Sequence, residues 1–180
     1  MDSLFDGPLP AATLILGGAR SGKSALAERL IEARGPGLYL ATAEVLDREM
    51  AERVRLHKAR RGDGWELLEE PLDLRGALRT HARADRPVLV DCLTLWLSNI
   101  LTDERDPEAE GTALAETLPD LVGPVVFVAN EVGLGIVPDN ALARLFRDAA
   151  GRLNQTIAAA AQRVLFTAAG LPLVMKDETR

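Results

Sequence analysis

Basic charge, cysteine, aromatic residues and long apolar runs are all scarce in this chain, and each scarcity argues against a class of function. The 180 residues carry 21 Lys and Arg against 27 Asp and Glu, a net charge of −6. An acidic chain without a basic tail is poorly suited to sequence-nonspecific nucleic-acid binding, although a local basic patch for a small phosphate ligand stays open. A single cysteine, Cys92, excludes an internal disulfide framework and any multi-cysteine zinc site. No Lys or Arg precedes Arg20, so the N-terminus is not a secretory signal. No apolar run approaches the ~20 residues that a membrane span needs. Aromatics are 4% of the chain, so its core must come from Leu, Val, Ile and Ala. Hydrophobic residues at 47% and charged residues at 27% suffice for that core. The expectation is a soluble, cytoplasmic protein with one domain over residues 13–180, preceded by an N-terminal extension, residues 1–12, that carries no motif.

Short apolar runs alternate with helical stretches. Thr13 to Leu16 reads as a strand, Ser24 to Arg34 as a helix stopped at Gly35, and Leu38 to Thr42 as a second strand. Leu46 to Arg61 and, more weakly, Arg75 to Ala84 have helical patterns. Val88 to Asp91 is a continuous apolar strand, and Leu93 to Leu101 a helix. The acidic stretch Thr102 to Gly111 reads as a solvated loop. Val125 to Ala129 is a strand, followed by the glycine-rich Gly133 to Pro138 and a long helix from about Asp139 to Arg163. In that helix Leu142, Leu145, Phe146, Ala149, Leu153 and Ile157 share a face expected to meet the core. Val164 to Ala168 and Leu171 to Met175 close the chain as strands turned at Gly170. Alternating strands and helices imply an α/β fold, a mostly parallel sheet covered on both faces.

Gly17, Gly18, Ala19, Arg20, Ser21, Gly22, Lys23 and Ser24 satisfy G-x-x-x-x-G-K-[ST] between a strand and a helix. The glycines let the backbone curl until successive N–H groups face phosphate oxygens, and the helix adds its positive N-terminal end. Lys23 reaches β- and γ-phosphates, and Ser24 holds Mg²⁺ through its hydroxyl. A nucleotide site of the P-loop NTPase type follows. Asp91, closing an apolar strand, is the candidate carboxylate for Mg²⁺, with capping of the next helix as its alternative role. Glu131, after the Val125 strand, is a second and weaker candidate.

The Leu46 helix gathers Arg53, His57, Arg60 and Arg61 toward its C-terminal end. A neutral imidazole is a competent nucleophile at phosphorus, and neighbouring cations neutralise phosphate charge. Basic residues near a helix C-terminus are also what the helix dipole favours without any ligand, so spacing alone leaves both readings open. His81 reads as a surface residue, Cys92 as a small core residue, and Trp65 and Trp96 as packing.

Taken together, the Gly17–Ser24 loop, Tyr39 to Ala43, Arg53-x-x-x-His57 with Arg60 and Arg61, Val90 to Thr94, Asn130 to Pro138 and Phe146 to Gln155 occur in a familiar order. The set resembles the bifunctional adenosylcobinamide kinase / adenosylcobinamide-phosphate guanylyltransferase family of cobalamin biosynthesis, from about Thr13 to Lys176. The phosphate loop is shared by many enzymes; the Asn130 and Phe146 blocks are far more specific. The resemblance implies two reactions at one nucleotide site. ATP or GTP phosphorylates adenosylcobinamide, then GTP guanylylates a histidine and the GMP passes to adenosylcobinamide phosphate, giving adenosylcobinamide-GDP and pyrophosphate. It makes His57 the guanylylated histidine and places nucleotide contacts on Gly17 to Ser24, on Ala41, Thr42 and Ala43, on Lys58, Ala59, Arg60 and Arg61, on Glu69 and on Asp91. It also implies a homotrimer. Some family members have two adjacent histidines where this chain has Leu56 and His57, and some carry Glu at the Asp91 position.

The competing readings are a monofunctional small-molecule kinase with an inert His57 and a nucleotide-gated switch. The absence of N-K-x-D weakens the switch, since Asn130 is followed by Glu131 and Val132. The net charge of −6 disfavours a recombinase-like DNA-binding ATPase. Lys23→Ala is expected to impair both phosphoryl and guanylyl transfer, checked by assaying each reaction separately; retention of either at wild-type level would mean that the nucleotide lies elsewhere.

Overall fold

The computed structural model describes residues 4–43 and 64–179. The helix expected over Leu46 to Arg61, and with it His57, Lys58, Ala59, Arg60 and Arg61, lies outside the described residues. Along the described chain run β1 (Ala12–Gly17), α1 (Lys23–Glu32), β2 (Gly37–Ala41), β3 (Trp65–Glu69), α2 (Leu74–His81), β4 (Val88–Asp91) and α3 (Leu93–Thr102). Then follow α4 (Pro107–Thr117), β5 (Val125–Asn130), α5 (Ala141–Ala160), β6 (Arg163–Ala168) and β7 (Leu171–Asp177). The strands form one sheet in the order β3-β2-β4-β5-β1-β6-β7. Every pair is parallel except β6 with β7, so β1 to β6 all end on the same edge.

Alternation along the strands sorts the core into two layers. Leu14, Leu38, Leu40, Val88, Val90 and Phe127 meet Leu78 of α2, Trp96 of α3, Leu114 of α4 and Leu153 of α5. On the opposite face Ile15, Tyr39, Leu89, Val126 and Val128 meet Leu26, Leu30 and Ile31 of α1. Most of these side chains are wholly buried, each worth about 1.5–3 kcal/mol of transfer free energy. The stretch before β1 also takes part. Leu4 is buried on the α1 face with Phe5 and Leu9 against it. Arg34 donates from Nε to the Gly7 carbonyl at 3.0 Å and from Nη2 to the Leu4 carbonyl at 3.2 Å. The α/β reading therefore holds, with both faces of the sheet covered.

Three expectations need correction. The acidic stretch expected as a loop begins α4 at Pro107, because Asp106 caps it, accepting from Glu108 N at 2.9 Å and Ala109 N at 3.3 Å, and proline suits the first helical position. The long helix stops at Ala160, and Arg163 already belongs to β6. Of its expected core face, Ala149, Leu153 and Ile157 are buried and Phe146 partly so, but Leu142 and Leu145 are 69% and 51% exposed. The reason is length: the 20 residues of α5 span about 30 Å, whereas the six residues of β5 span about 20 Å. The first two turns of the helix therefore overhang the sheet. The edge strand β3 is an addition, since Trp65 to Glu69 are half-buried or exposed and carry little of the alternation that marks an inner strand.

Asp106→Ala is expected to cost about 1 kcal/mol of stability in urea denaturation, and Asp106→Asn to restore most of it, because asparagine keeps the accepting side-chain oxygen.

Candidate active site

The site grows from the turn between β1 and α1. Gly17 ends β1 where it pairs with both β5 and β6, and a Cβ added there would stand 2.5 Å from the Thr167 carbonyl and 2.5 Å from Ser21 Oγ. Only glycine lets the loop start this close to β6. Gly22, with φ +98°, caps α1 in a left-handed conformation, and its own Cβ would lie 3.0 Å from the Gly170 Cα. The Gly170 N–H donates to the Ser21 carbonyl at 2.8 Å, so the β6–β7 turn braces the loop from outside. Ser21 Oγ and Thr167 Oγ1 are buried and without a hydrogen-bond partner among the described residues.

Lys23 opens α1 and is buried, its Nζ donating to the Gly18 carbonyl at 2.9 Å, which folds the ammonium back over the loop. Burial holds the Lys23 ammonium below the ordinary lysine range, and the nearby negative charge of Asp91 opposes that shift. Asp91 closes β4 two residues after Leu89, whose side chain packs on the α1 face, so its carboxylate projects to the side of the sheet that carries Lys23. Tyr39, buried on the same face of β2, donates its hydroxyl hydrogen bond to Asp91 Oδ2. Helix α3 is not capped by Asp91: its N-cap position is Cys92, with no side-chain cap. The capping alternative for Asp91 therefore falls away. Cys92 is buried, and desolvation pushes its thiol up to about 12, with Asp91 adding to the effect.

Thr42 joins the ends of β2 and β4. Its Oγ1 donates to the Cys92 carbonyl at 2.8 Å and accepts from the Cys92 N–H at 2.9 Å. Asn99 of α3 donates to the Thr42 carbonyl at 2.7 Å and to the Pro71 carbonyl at 3.1 Å. The Thr42 side chain thus braces the Ala41 to Ala43 turn from beneath. Glu69 ends β3 opposite Ala41 in the strand register. At the end of β5 the Asn130 peptide is held by two helices: its N–H donates to Thr94 Oγ1 at 2.7 Å, and its carbonyl accepts from Asn154 Nδ2 at 3.2 Å. Glu131 follows, donating its N–H to the Gly17 carbonyl at 3.1 Å and accepting the Gly133 N–H on Oε1 at 2.6 Å.

The described candidates therefore collect on one edge of the sheet: Gly17 to Ser24 from the end of β1, Ala41 to Ala43 from the end of β2, Glu69 at the end of β3 and Asp91 at the end of β4. His57, Lys58, Ala59, Arg60 and Arg61 lie outside the described residues. His81 is half-buried in the last turn of α2, and Trp96 is core, its Nε1 donating to the Leu72 carbonyl at 2.9 Å. Half-buried Trp65 packs edge-on to Tyr39 at 5.9 Å between ring centroids. Sequence reasoning missed Tyr39, Thr94, Thr167 and Asn154 as supports of the site. Tyr39 was within reach, since it stands two residues before Ala41 on a strand whose alternation sends it to the α1 face.

A chain with this site matches the sequence model of the family described as "Cobinamide kinase / cobinamide phosphate guanyltransferase" over residues 13–175. It is 52% identical over 168 residues to the bifunctional adenosylcobalamin biosynthesis protein CobP of Pseudomonas aeruginosa, covering 92% of this chain and 97% of that one. It is 39% identical over 178 residues to the bifunctional adenosylcobalamin biosynthesis protein CobU of Escherichia coli, covering 91% of this chain and 98% of that one. Among solved structures, the flagellar accessory protein FlaH from Methanocaldococcus jannaschii superposes with a TM-score of 0.56 at 16% identity, covering 98% of this chain and 83% of that one. The RadB recombinase superposes with a TM-score of 0.54 at 17% identity, covering 92% of this chain and 78% of that one. These two likenesses show the P-loop NTPase fold alone.

A buried, protonated thiol is a poor nucleophile. Iodoacetamide at pH 8 is expected to leave Cys92 unmodified in the folded protein over a period that fully alkylates the urea-unfolded chain, as read by mass spectrometry.

Proposed function

The chain belongs to the cobinamide kinase / cobinamide phosphate guanyltransferase family, and from that premise we propose that the phosphate-loop site carries out both transfers, with Mg²⁺ bound by Ser24 and Asp91 and a guanylyl intermediate on His57. The protein is a bifunctional enzyme of adenosylcobalamin biosynthesis. In the first reaction the terminal phosphoryl group of ATP or GTP passes to the aminopropanol hydroxyl of adenosylcobinamide. In the second, the His57 imidazole attacks the α-phosphorus of GTP, pyrophosphate leaves, and the GMP moves on to adenosylcobinamide phosphate. The convergence of Lys23 and Asp91 at one sheet edge carries this reading, because it sets a cation and a hard oxygen ligand on the same side of the phosphate loop.

The donor set suits Mg²⁺. Ser24 and Asp91 offer a hydroxyl and a carboxylate, and no cluster of three or more His, Cys, Asp or Glu able to hold a metal occurs among the described residues. Mg²⁺ commonly takes one or two protein oxygens and completes its shell with phosphates and water. When bound it supplies charge neutralisation at the phosphates. Tyr39 orients the Asp91 carboxylate toward that role, and Lys23 with the loop N–H groups stabilises the charge that develops on the leaving group. Ala41, Thr42, Ala43 and Glu69, with Lys58, Ala59, Arg60 and Arg61, would frame the rest of GTP. Thr42 is wholly buried, with its hydroxyl engaged by Cys92, its N–H by the Asp91 carbonyl and its carbonyl by Asn99, so it would act by holding Ala41 and Ala43 in place.

No described helix is long and apolar enough to cross a membrane. The homotrimer implied by the sequence resemblance draws support from two exposed apolar stretches. One runs through Leu134, Ile136 and Val137 to Leu142 and Leu145 on the overhanging end of α5, and the other follows β7 at Leu171, Leu173 and Met175.

Incubation with α-labelled GTP and Mg²⁺ is expected to give an acid-labile, base-stable label on the wild-type protein and none on His57→Ala, which should still phosphorylate cobinamide. Absence of label on a wild-type protein that binds GTP would remove the histidine intermediate from the mechanism.

A further inference from the structure

The two reactions differ in what their nucleophiles must lose. A neutral histidine attacks the α-phosphorus with its lone pair. The phosphate of adenosylcobinamide phosphate, with a second pKa of about 6, is already an anion when it accepts GMP. Only the alcohol of the first reaction must give up a proton as it attacks, so only the kinase half needs a general base.

The sheet order points to where such a base would stand. β5 lies between β4 and β1, so its carboxyl end falls between Asp91 and the phosphate loop. The residue that leaves that end is Glu131. Its position is held from three sides: its own N–H bonds the Gly17 carbonyl at 3.1 Å, and the preceding Asn130 peptide is clamped by Thr94 Oγ1 at 2.7 Å and Asn154 Nδ2 at 3.2 Å. The clamp residues Thr94 and Asn154 are buried, whereas Glu131 is half-exposed. One carboxylate oxygen, Oε1, accepts the Gly133 N–H at 2.6 Å, which fixes the rotamer and leaves the second lone-pair face to a substrate. Asp91 is less suited to the task, because its carboxylate already accepts from Tyr39 and is the candidate ligand for Mg²⁺.

We propose that Glu131 is the general base of the kinase half-reaction, clamped between the phosphate loop and Asp91 by the Thr94–Asn130–Asn154 hydrogen bonds, and that it takes no part in guanylyl transfer. The step balances within the site. The substrate hydroxyl oxygen forms a bond to the γ-phosphorus while the bond from that phosphorus to the β,γ-bridging oxygen breaks. The nucleoside diphosphate leaves with that electron pair, and the hydroxyl proton passes to the Glu131 carboxylate and then to solvent. The division of labour follows: Glu131 serves the phosphoryl transfer, His57 the guanylyl transfer, and the phosphate loop serves both. This assignment rests on the bifunctional reading above.

Glu131→Gln tests it, because glutamine keeps the oxygen that accepts the Gly133 N–H and the volume of the side chain but cannot take a proton. Two assays run side by side, cobinamide with ATP for the first reaction and cobinamide phosphate with GTP for the second. General-base loss predicts a fall in kinase kcat of about 10²–10⁴-fold with KM for ATP little changed, while guanylyl transfer and the His57 label stay within about twofold of wild type. An unchanged kinase rate would overturn the proposal. So would an equal fall in both reactions, which would mark Glu131 as a support of the whole site. Glu131→Ala, which also loses the Gly133 contact, should lose at least as much kinase activity; a kinase rate above that of Glu131→Gln counts against a base. A wild-type protein inactive in both assays would instead overturn the bifunctional reading, so the two failures are told apart.

Discussion

The close approach of β1 to its neighbours at Gly17 is the contact on which the rest of the site depends. With strands parallel on either side, the loop leaving β1 must turn within the width of one strand, and the Thr167 carbonyl and Ser21 Oγ leave no room for a side chain. The absence of a Cβ at Gly17 lets the backbone curl beneath the first turn of α1 instead of passing over it. Lys23 then falls where its ammonium is buried against the loop, and the end of β5 can hydrogen-bond the Gly17 carbonyl. The same curl is gripped from outside by Gly170, whose N–H meets the Ser21 carbonyl.

A second constraint is that β1 to β6 run the same way. Parallel strands deliver their carboxyl ends to one edge, so residues separated by more than a hundred positions in the chain become neighbours. That edge consists largely of polar groups whose partners are backbone atoms of the adjacent element. Thr42 ties β2 to the peptide after Asp91, Asn99 ties α3 to the turn after β2, and Thr94 and Asn154 tie α3 and α5 to the end of β5. These bonds are buried or half-buried, and each satisfies a backbone group that the loss of sheet pairing would otherwise strand. Rigidity of the edge is thus a by-product of satisfying its backbone, and it orients the candidate site side chains gathered there.

Local signals carried most of the element assignments. The apolar runs of β1, β2, β4 and β5 are buried on both faces and read as strands without a partner in view. The phosphate loop was complete as a motif, because all its chemistry is contiguous. Where local reading failed, the deciding quantity was not local. Leu142 and Leu145 obey the helical period of α5 but lie beyond the end of the sheet, and periodicity cannot say how far the opposite layer extends. β3 is a strand because β2 offers it an edge, and its own residues are too exposed to announce it. The start of α4 was legible in Asp106 and Pro107, and was hidden by the charge of the surrounding stretch.

The sequence by itself therefore determined the fold class, the phosphate loop and the family, because each of these is written in contiguous patterns, and it named the candidate site residues. Only the tertiary structure decided which of them share a site. That Asp91 faces Lys23 and is held by Tyr39, that Thr42 is spent on Cys92, and that Glu131 stands between Asp91 and the phosphate loop all follow from strand order and register. Strand order is set by how six parallel strands and their helices pack around two shared cores, a long-range free energy that no short window of residues contains.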